Sequence, residues 1–221
     1  MTPSPASVMH GSGAKPHHLS TDIPKKTVYR LSLYLRCLGL MVAKKESIVS
    51  SSALAGVAGV QPAQLRKDLA YCGPLGKRGT GYEVLTLRNR LEEILGRASL
   101  QPVILVGAGN LGQALLSYKG FAREGFEIVA AFDLHAKRIK EGRVGIRGVG
   151  SMRGFIRKHE IRMAILCVPG SAAQTVALQL CDAGIQAILN FSPVILQLPE
   201  TVAVNNVNLA IELENLSYFA R

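Results

Sequence analysis

Three observations predict an α/β protein with an N-terminal winged helix-turn-helix domain, a doubly wound parallel sheet and a C-terminal helix. Apolar, mostly β-branched runs alternate with helical stretches from Val103 to Asn190, the order that produces a parallel sheet covered on both faces. Upstream, three helical patterns lead into a glycine-rich segment carrying Lys77 and Arg78, which reads as a helix-turn-helix followed by a wing. Downstream, Val207 to Phe219 places Leu209, Leu213 and Leu216 on one helical stripe that must be buried on something.

The chain has 221 residues, 48% hydrophobic and 5% aromatic, enough for one large domain or two small ones with real cores. No apolar run approaches the roughly 20 residues that a membrane helix needs, so a soluble protein without a membrane partner is expected. Met1 to Thr21 is Pro, Ser, Gly and His without an apolar segment. It reads as a flexible tail, 1–22, in which His10, His17 and His18 could bind metal but are expected to be solvated, with no metal site. Cys37, Cys72, Cys167 and Cys181 show no CxxC spacing and read as free thiols of a reducing cytoplasm. The net charge of +11 is uneven: residues 1–98 hold 14 Lys and Arg against 6 Asp and Glu, the remainder 12 against 9. That asymmetry points to a polyanion partner for the N-terminal part.

In chain order, Val28, Leu31, Leu35 and Leu38 predict a first helix from Pro24 to about Val42. Serines before an apolar repeat predict a second helix starting near Ser51 or Ser52. Gly59-Val-Gln-Pro62 breaks it and opens a third. On that helix Leu65 and Leu69 face the core, whereas Gln64, Lys67 and Asp68 are expected on another face, with Arg66 displaced around it. Gly73 to Leu87 then describes a hairpin tip presenting Lys77 and Arg78, followed by a β-prone run, and Leu91 to Leu95 a closing helix. A recognition helix in a major groove with a basic wing on the phosphates fits this set.

Beyond a boundary near Arg97 to Pro102, strands are expected near 103–107, 127–132, 163–168 and 186–190, and helices near 111–119, 151–159 and 172–183. The run Val103 to Val106 enters Gly107, Ala108, Gly109, Asn110, Leu111 and Gly112. This GxGxxG, opening a helix after a strand, is the Rossmann dinucleotide fingerprint. Asp133, 21 residues past the last glycine, suits the ribose hydroxyls of NAD and would repel the 2′-phosphate of NADP. Ligand residues are also expected at the other strand ends, Val168-Pro169 and Asn190-Phe191-Ser192-Pro193. Asn190 could meet a carboxamide; Phe191 could pack on a nicotinamide ring or be a plain strand-end residue.

Five segments together resemble the Rex family of redox-sensing transcriptional repressors: Gln64 to Tyr71, Gly79 to Tyr82, Val106 to Gly112 with Tyr118, Ala131 to Asp133, and Ile188 to Pro193. The resemblance spans about 23–221. It implies a winged helix over 23–97, a Rossmann NAD(H) domain over 98–201, and a strand and helix over 202–221 at the interface of a homodimer, the helix exchanged between the subunits. It implies NADH and NAD as ligands, and palindromic operator DNA as a partner that NADH releases. The DNA-binding set is Ser51, Gln64, Arg66, Lys67, Lys77, Arg78 and Tyr82; redox coupling falls to Arg30, Tyr118 and Asn208. The chain departs from the family at Cys72, commonly aromatic, and at Asn208, commonly aspartate, which cannot form an ion pair with Arg30. The rival reading is an NAD-dependent oxidoreductase with an added basic domain. It lacks a second α/β domain for substrate, and neither His135 nor His159 has an evident partner for acid–base work.

Overall fold

The computed structural model describes residues 23–77, 79–97, 99–136 and 144–220, which form two units divided between Gly96 and Arg97. The tail expected over 1–22 lies outside the described residues. No described helix is long and apolar enough to cross a membrane.

The first unit begins with α1 (Lys25–Ala43). Leu31, Tyr34, Leu35, Leu38 and Met41 recur at helical spacing and are buried, while Val28, expected on this face, is 37% exposed. The strand β1 (Ile48–Val49) precedes α2 (Ser51–Ala58), whose cap is Ser50: its hydroxyl accepts from the Ala53 N–H at 3.0 Å. Pro62 opens α3 (Pro62–Leu69) at its first turn. The strands β2 (Gly76–Lys77) and β3 (Gly81–Glu83) pair antiparallel, and β1 adds to the other edge of β3. The β-prone run expected to continue to Leu87 instead becomes α4 (Val84–Ile94). Val84, Leu87 and Leu91 are buried at three- and four-residue spacing, so helical periodicity overrides the β-propensity of the run.

The second unit is a six-stranded parallel sheet. Its strands are β4 (Gln101–Val106), β5 (Phe126–Asp133), β6 (Ile146–Gly148), β7 (Met163–Leu166), β8 (Ala187–Asn190) and β9 (Ala203–Asn206), ordered β6-β5-β4-β7-β8-β9. Along β4, Val103 and Leu105 enter one core cluster while Ile104 and Val106 enter the other, because successive side chains alternate across a strand. Leu115, Leu116 and Phe121, from α5 (Asn110–Ser117) and α6 (Gly120–Arg123), cover the first face. The second is covered by α7 (Met152–Lys158) and α8 (Gly170–Ala183) through Ile156, Ala173, Ala177 and Leu180. β6, only Ile-Arg-Gly, lay outside the expected elements: three residues with one apolar side chain carry no period. The chain closes with α9 (Leu209–Phe219), which has no buried residue.

Candidate nucleotide site and nucleic-acid interface

β4 lies where the strand order reverses, with β5 on one side and β7 on the other. In open α/β sheets such a switch point opens a crevice at the carboxyl ends of the strands. Gly107 has φ 94°, and a Cβ there would come within 2.5 Å of the Cys167 carbonyl oxygen. Glycine is therefore required for the turn and for the approach of the loop after β7. A Cβ on Gly112 would overlap the Gly107 carbonyl oxygen, whereas nothing lies within 4 Å of one on Gly109. The outer two glycines close the turn and the middle one faces open space. Asn110 and Leu111 are exposed at the start of α5, where unpaired N–H groups favour an anion.

The Asp133 carboxylate accepts from the Ala108 N–H at 2.8 Å and, through its other oxygen, from the His135 N–H at 2.7 Å. It thereby ties the glycine loop to the end of β5. Each carboxylate oxygen has further acceptor capacity, so ribose hydroxyls can bind beside these contacts.

On the other side of the crevice the Ser192 hydroxyl donates to the Val168 carbonyl at 2.7 Å. A Cβ on Gly170, which follows Pro169, would lie 3.0 Å from Val194 Cγ1 and 3.7 Å from the Pro193 ring, so the loops after β7 and β8 are in contact. Asn190 corrects an expectation. Its side chain is 0% exposed; Nδ2 donates to the Val194 carbonyl and to Asn206 Oδ1, and Oδ1 accepts from the Ser192 N–H, each at 2.9 Å. Its donors are committed within the protein, so it shapes the loop instead of meeting a carboxamide. Phe191 is half-buried against the cluster of Val103, Leu105 and Ile165. Tyr118 is 60% exposed, edge-to-face with Phe121 at 5.1 Å between centroids.

In the first unit, Ser51, Arg66, Lys77 and Tyr82 line one concavity of about 480 Å³ between α3 and the β2–β3 hairpin. Arg66 is exposed and its guanidinium donates to the Ser51 hydroxyl at 3.1 Å. Lys67 is exposed on α3, outside this concavity. The Tyr82 ring covers Gly76, where any Cβ would come within 2.7 Å of it, and burial raises its phenol pKa. Arg78 lies outside the described residues.

Asp68 does not sit on the polar face where it was expected. It is 1% exposed. Its carboxylate accepts from Arg30 Nε at 2.6 Å and Nη2 at 2.7 Å, Tyr34 Oη at 2.8 Å and Gln64 Nε2 at 2.8 Å, with Thr27 Oγ1 at 3.4 Å. Burial alone would raise this carboxyl's pKa; the hydrogen bonds from Arg30, Tyr34 and Gln64 outweigh it and hold the group below its usual value. The cluster carried a signal in the sequence. Asp68 is three residues from Leu65 and one from Leu69, inside the apolar stripe, and Thr27, Arg30 and Tyr34 share one face of α1. The same cluster engages Arg30 within its own unit, while in the other unit Asn208 Oδ1 caps α9 by accepting from the Ala210 N–H at 3.0 Å and the Ile211 N–H at 3.4 Å.

Residues 22–70 match the family model described as "Putative DNA-binding protein N-terminus", and residues 99–194 the model of the CoA binding domain. The chain is 42% identical over 200 residues to the redox-sensing transcriptional repressor Rex of Syntrophobacter fumaroxidans, covering 89% of this chain and 95% of that one. It is 44% identical over 198 residues to the Rex of Pelotomaculum thermopropionicum, covering 89% and 93%. Among solved structures, RSP in complex with beta-NAD+ and operator DNA superposes with a TM-score of 0.84 at 36% identity over 91% of this chain and 94% of that one. RSP in complex with beta-NADH gives 0.79 at 35% identity, covering 91% and 95%. RSP is itself described as a Rex-family repressor. With relatives matched along nine-tenths of its length, the chain belongs to the Rex family of redox-sensing transcriptional repressors.

Proposed function

We propose that this protein is a homodimeric, operator-binding repressor of the cytoplasm that reads the NADH to NAD+ balance, NADH releasing it from DNA. The observation that carries the reading is the pairing, in one chain, of a glycine loop tied to Asp133 at a sheet switch point with a winged unit whose Arg66 and Lys77 border one concavity. The solved relatives hold NAD+ with operator DNA, and NADH. In this reading Gly107 to Gly112 hold the pyrophosphate, Asp133 the adenosine ribose, and Val168, Pro169 and Phe191 to Pro193 border the nicotinamide end, with Asn190 positioning their loop. Ser51, Gln64, Arg66, Lys67, Lys77, Arg78 and Tyr82 face DNA. Tyr118 and Asn208 read the nicotinamide, Arg30 carries the state to the winged domain, and α9 crosses to the partner subunit. An oxidoreductase is the weaker reading, since His159 is stacked on Phe155 at 4.3 Å and the matched relatives are named as repressors.

NADH can shift the equilibrium only through its differential affinity for the DNA-free and DNA-bound arrangements, and DNA weakens NADH binding by the same factor. A gel shift on a palindromic operator is expected to show NADH displacing DNA at lower concentration than NAD+. Equal displacement by the two would end the redox-sensor reading. Arg66→Ala and Lys77→Ala are each expected to weaken operator binding while calorimetry shows unchanged NADH affinity. Loss of a phosphate-contacting lysine lowers the salt slope by about one unit. Unaltered operator affinity and slope in both would remove the proposed DNA surface.

A further inference from the structure

The buried amide of Asn190 joins the loop that follows it to a residue 16 positions on. Its Oδ1 and one Nδ2 hydrogen hold the loop after β8, at the Ser192 N–H and the Val194 carbonyl. Ser192 in turn holds the loop after β7 through its hydroxyl on the Val168 carbonyl. The second Nδ2 hydrogen reaches Asn206 Oδ1 at 2.9 Å, and the Asn190 carbonyl accepts from the Val207 N–H at 2.8 Å. Asn206 and Val207 are the last residues before Asn208 caps α9.

The junction lies at the margin of the unit: β9 is a four-residue edge strand that, among the described strands, pairs with β8 alone, and the helix that follows buries no residue. A carboxamide is planar, with its two N–H directions and its acceptor fixed relative to one another. Displacement of the Ser192 to Val194 loop therefore turns the amide, and its bond to Asn206 must follow or break. Asn190 is fully buried while Asn206 is exposed, so breaking the bond costs the buried amide its partner unless water enters from the Asn206 side, which favours concerted movement.

We propose that the Asn190–Asn206 amide pair transmits occupancy of the loops after β7 and β8 to the junction that launches α9. Asn206 is a positioning residue in this scheme and touches no ligand. The inference rests on the functional reading above, in which those loops border the nucleotide and α9 binds the partner subunit.

The test compares Asn206→Ala, which removes the acceptor, with Asn206→Asp, which keeps it, in the full-length protein. In Asn206→Ala, NADH affinity and operator affinity measured separately are expected to stay within about twofold of wild type, while the ratio of operator Kd with and without NADH falls by about threefold or more. Asn206→Asp restores the ratio. Hydrogen exchange at the Val207 N–H provides a readout without DNA: NADH slows it in wild type and Asn206→Asp, and fails to slow it in Asn206→Ala. A thermal midpoint lowered equally in both variants with unchanged ratios would mark a merely structural contact and overturn the proposal. A wild type whose operator affinity ignores NADH overturns the functional reading and this link with it. A responsive wild type beside an equally responsive Asn206→Ala overturns the link alone.

Discussion

Asp68→Ala is expected to destabilise the winged unit by about 3 kcal/mol, the lower end for removing one partner of a buried ion pair because Arg30 keeps 23% of its side chain in solvent. Operator binding should be lost with it. The carboxylate joins α1 to the C-terminal turn of α3 through Arg30, Tyr34 and Thr27, so its removal frees the angle of the helix that carries Arg66 and Lys67. NADH affinity should be unchanged, since the glycine loop belongs to the other unit. The same group sets a pH dependence. Asp68 is depressed in the folded state, so its contribution is complete above the unfolded carboxylate value and is lost as pH falls through the lower, folded value. Urea denaturation of wild type and Asp68→Ala, repeated across the acid range, checks both statements. A variant as stable as wild type, with normal operator affinity, would remove the clamp from the account.

Truncation before Val207 is expected to leave a monomer that binds operator about 100-fold more weakly or worse, the loss that follows when two linked half-site contacts become one. The argument starts from α9 itself. A helix of 11 residues is marginal in water, yet this one exposes Leu209 by 59%, Leu213 by 67%, Leu216 by 65% and Phe219 by 82%. Such a stripe calls for a covering surface, which a second copy of the chain would supply in the proposed homodimer. Sedimentation and a gel shift on a two-half-site operator measure the outcome. A truncated protein that sediments as a dimer and holds its operator would place α9 elsewhere.

What the sequence determined by itself was local. The β4–turn–α5 unit was legible because the apolar run, the three glycines and the helix start lie within 17 consecutive residues, Gln101–Ser117, and a short window contains every physical cause of that shape. The first three helices were legible for the same reason: Ser50, Pro62 and the leucine spacing act on their own neighbours. The position of Asp68 beside Leu65 and Leu69 was a local signal, but only tertiary structure decided which buried polar groups find partners. Asp68 is buried because Tyr34, Arg30 and Thr27 come to it from 34, 38 and 41 residues away. Asn190 has its amide donors committed because Asn206, 16 residues on, and Val194 take them. A charged or amide side chain can leave water only where remote segments bring the matching hydrogen bonds. Periodicity within a window records which face a residue occupies, but not what arrives from elsewhere in the chain to meet it.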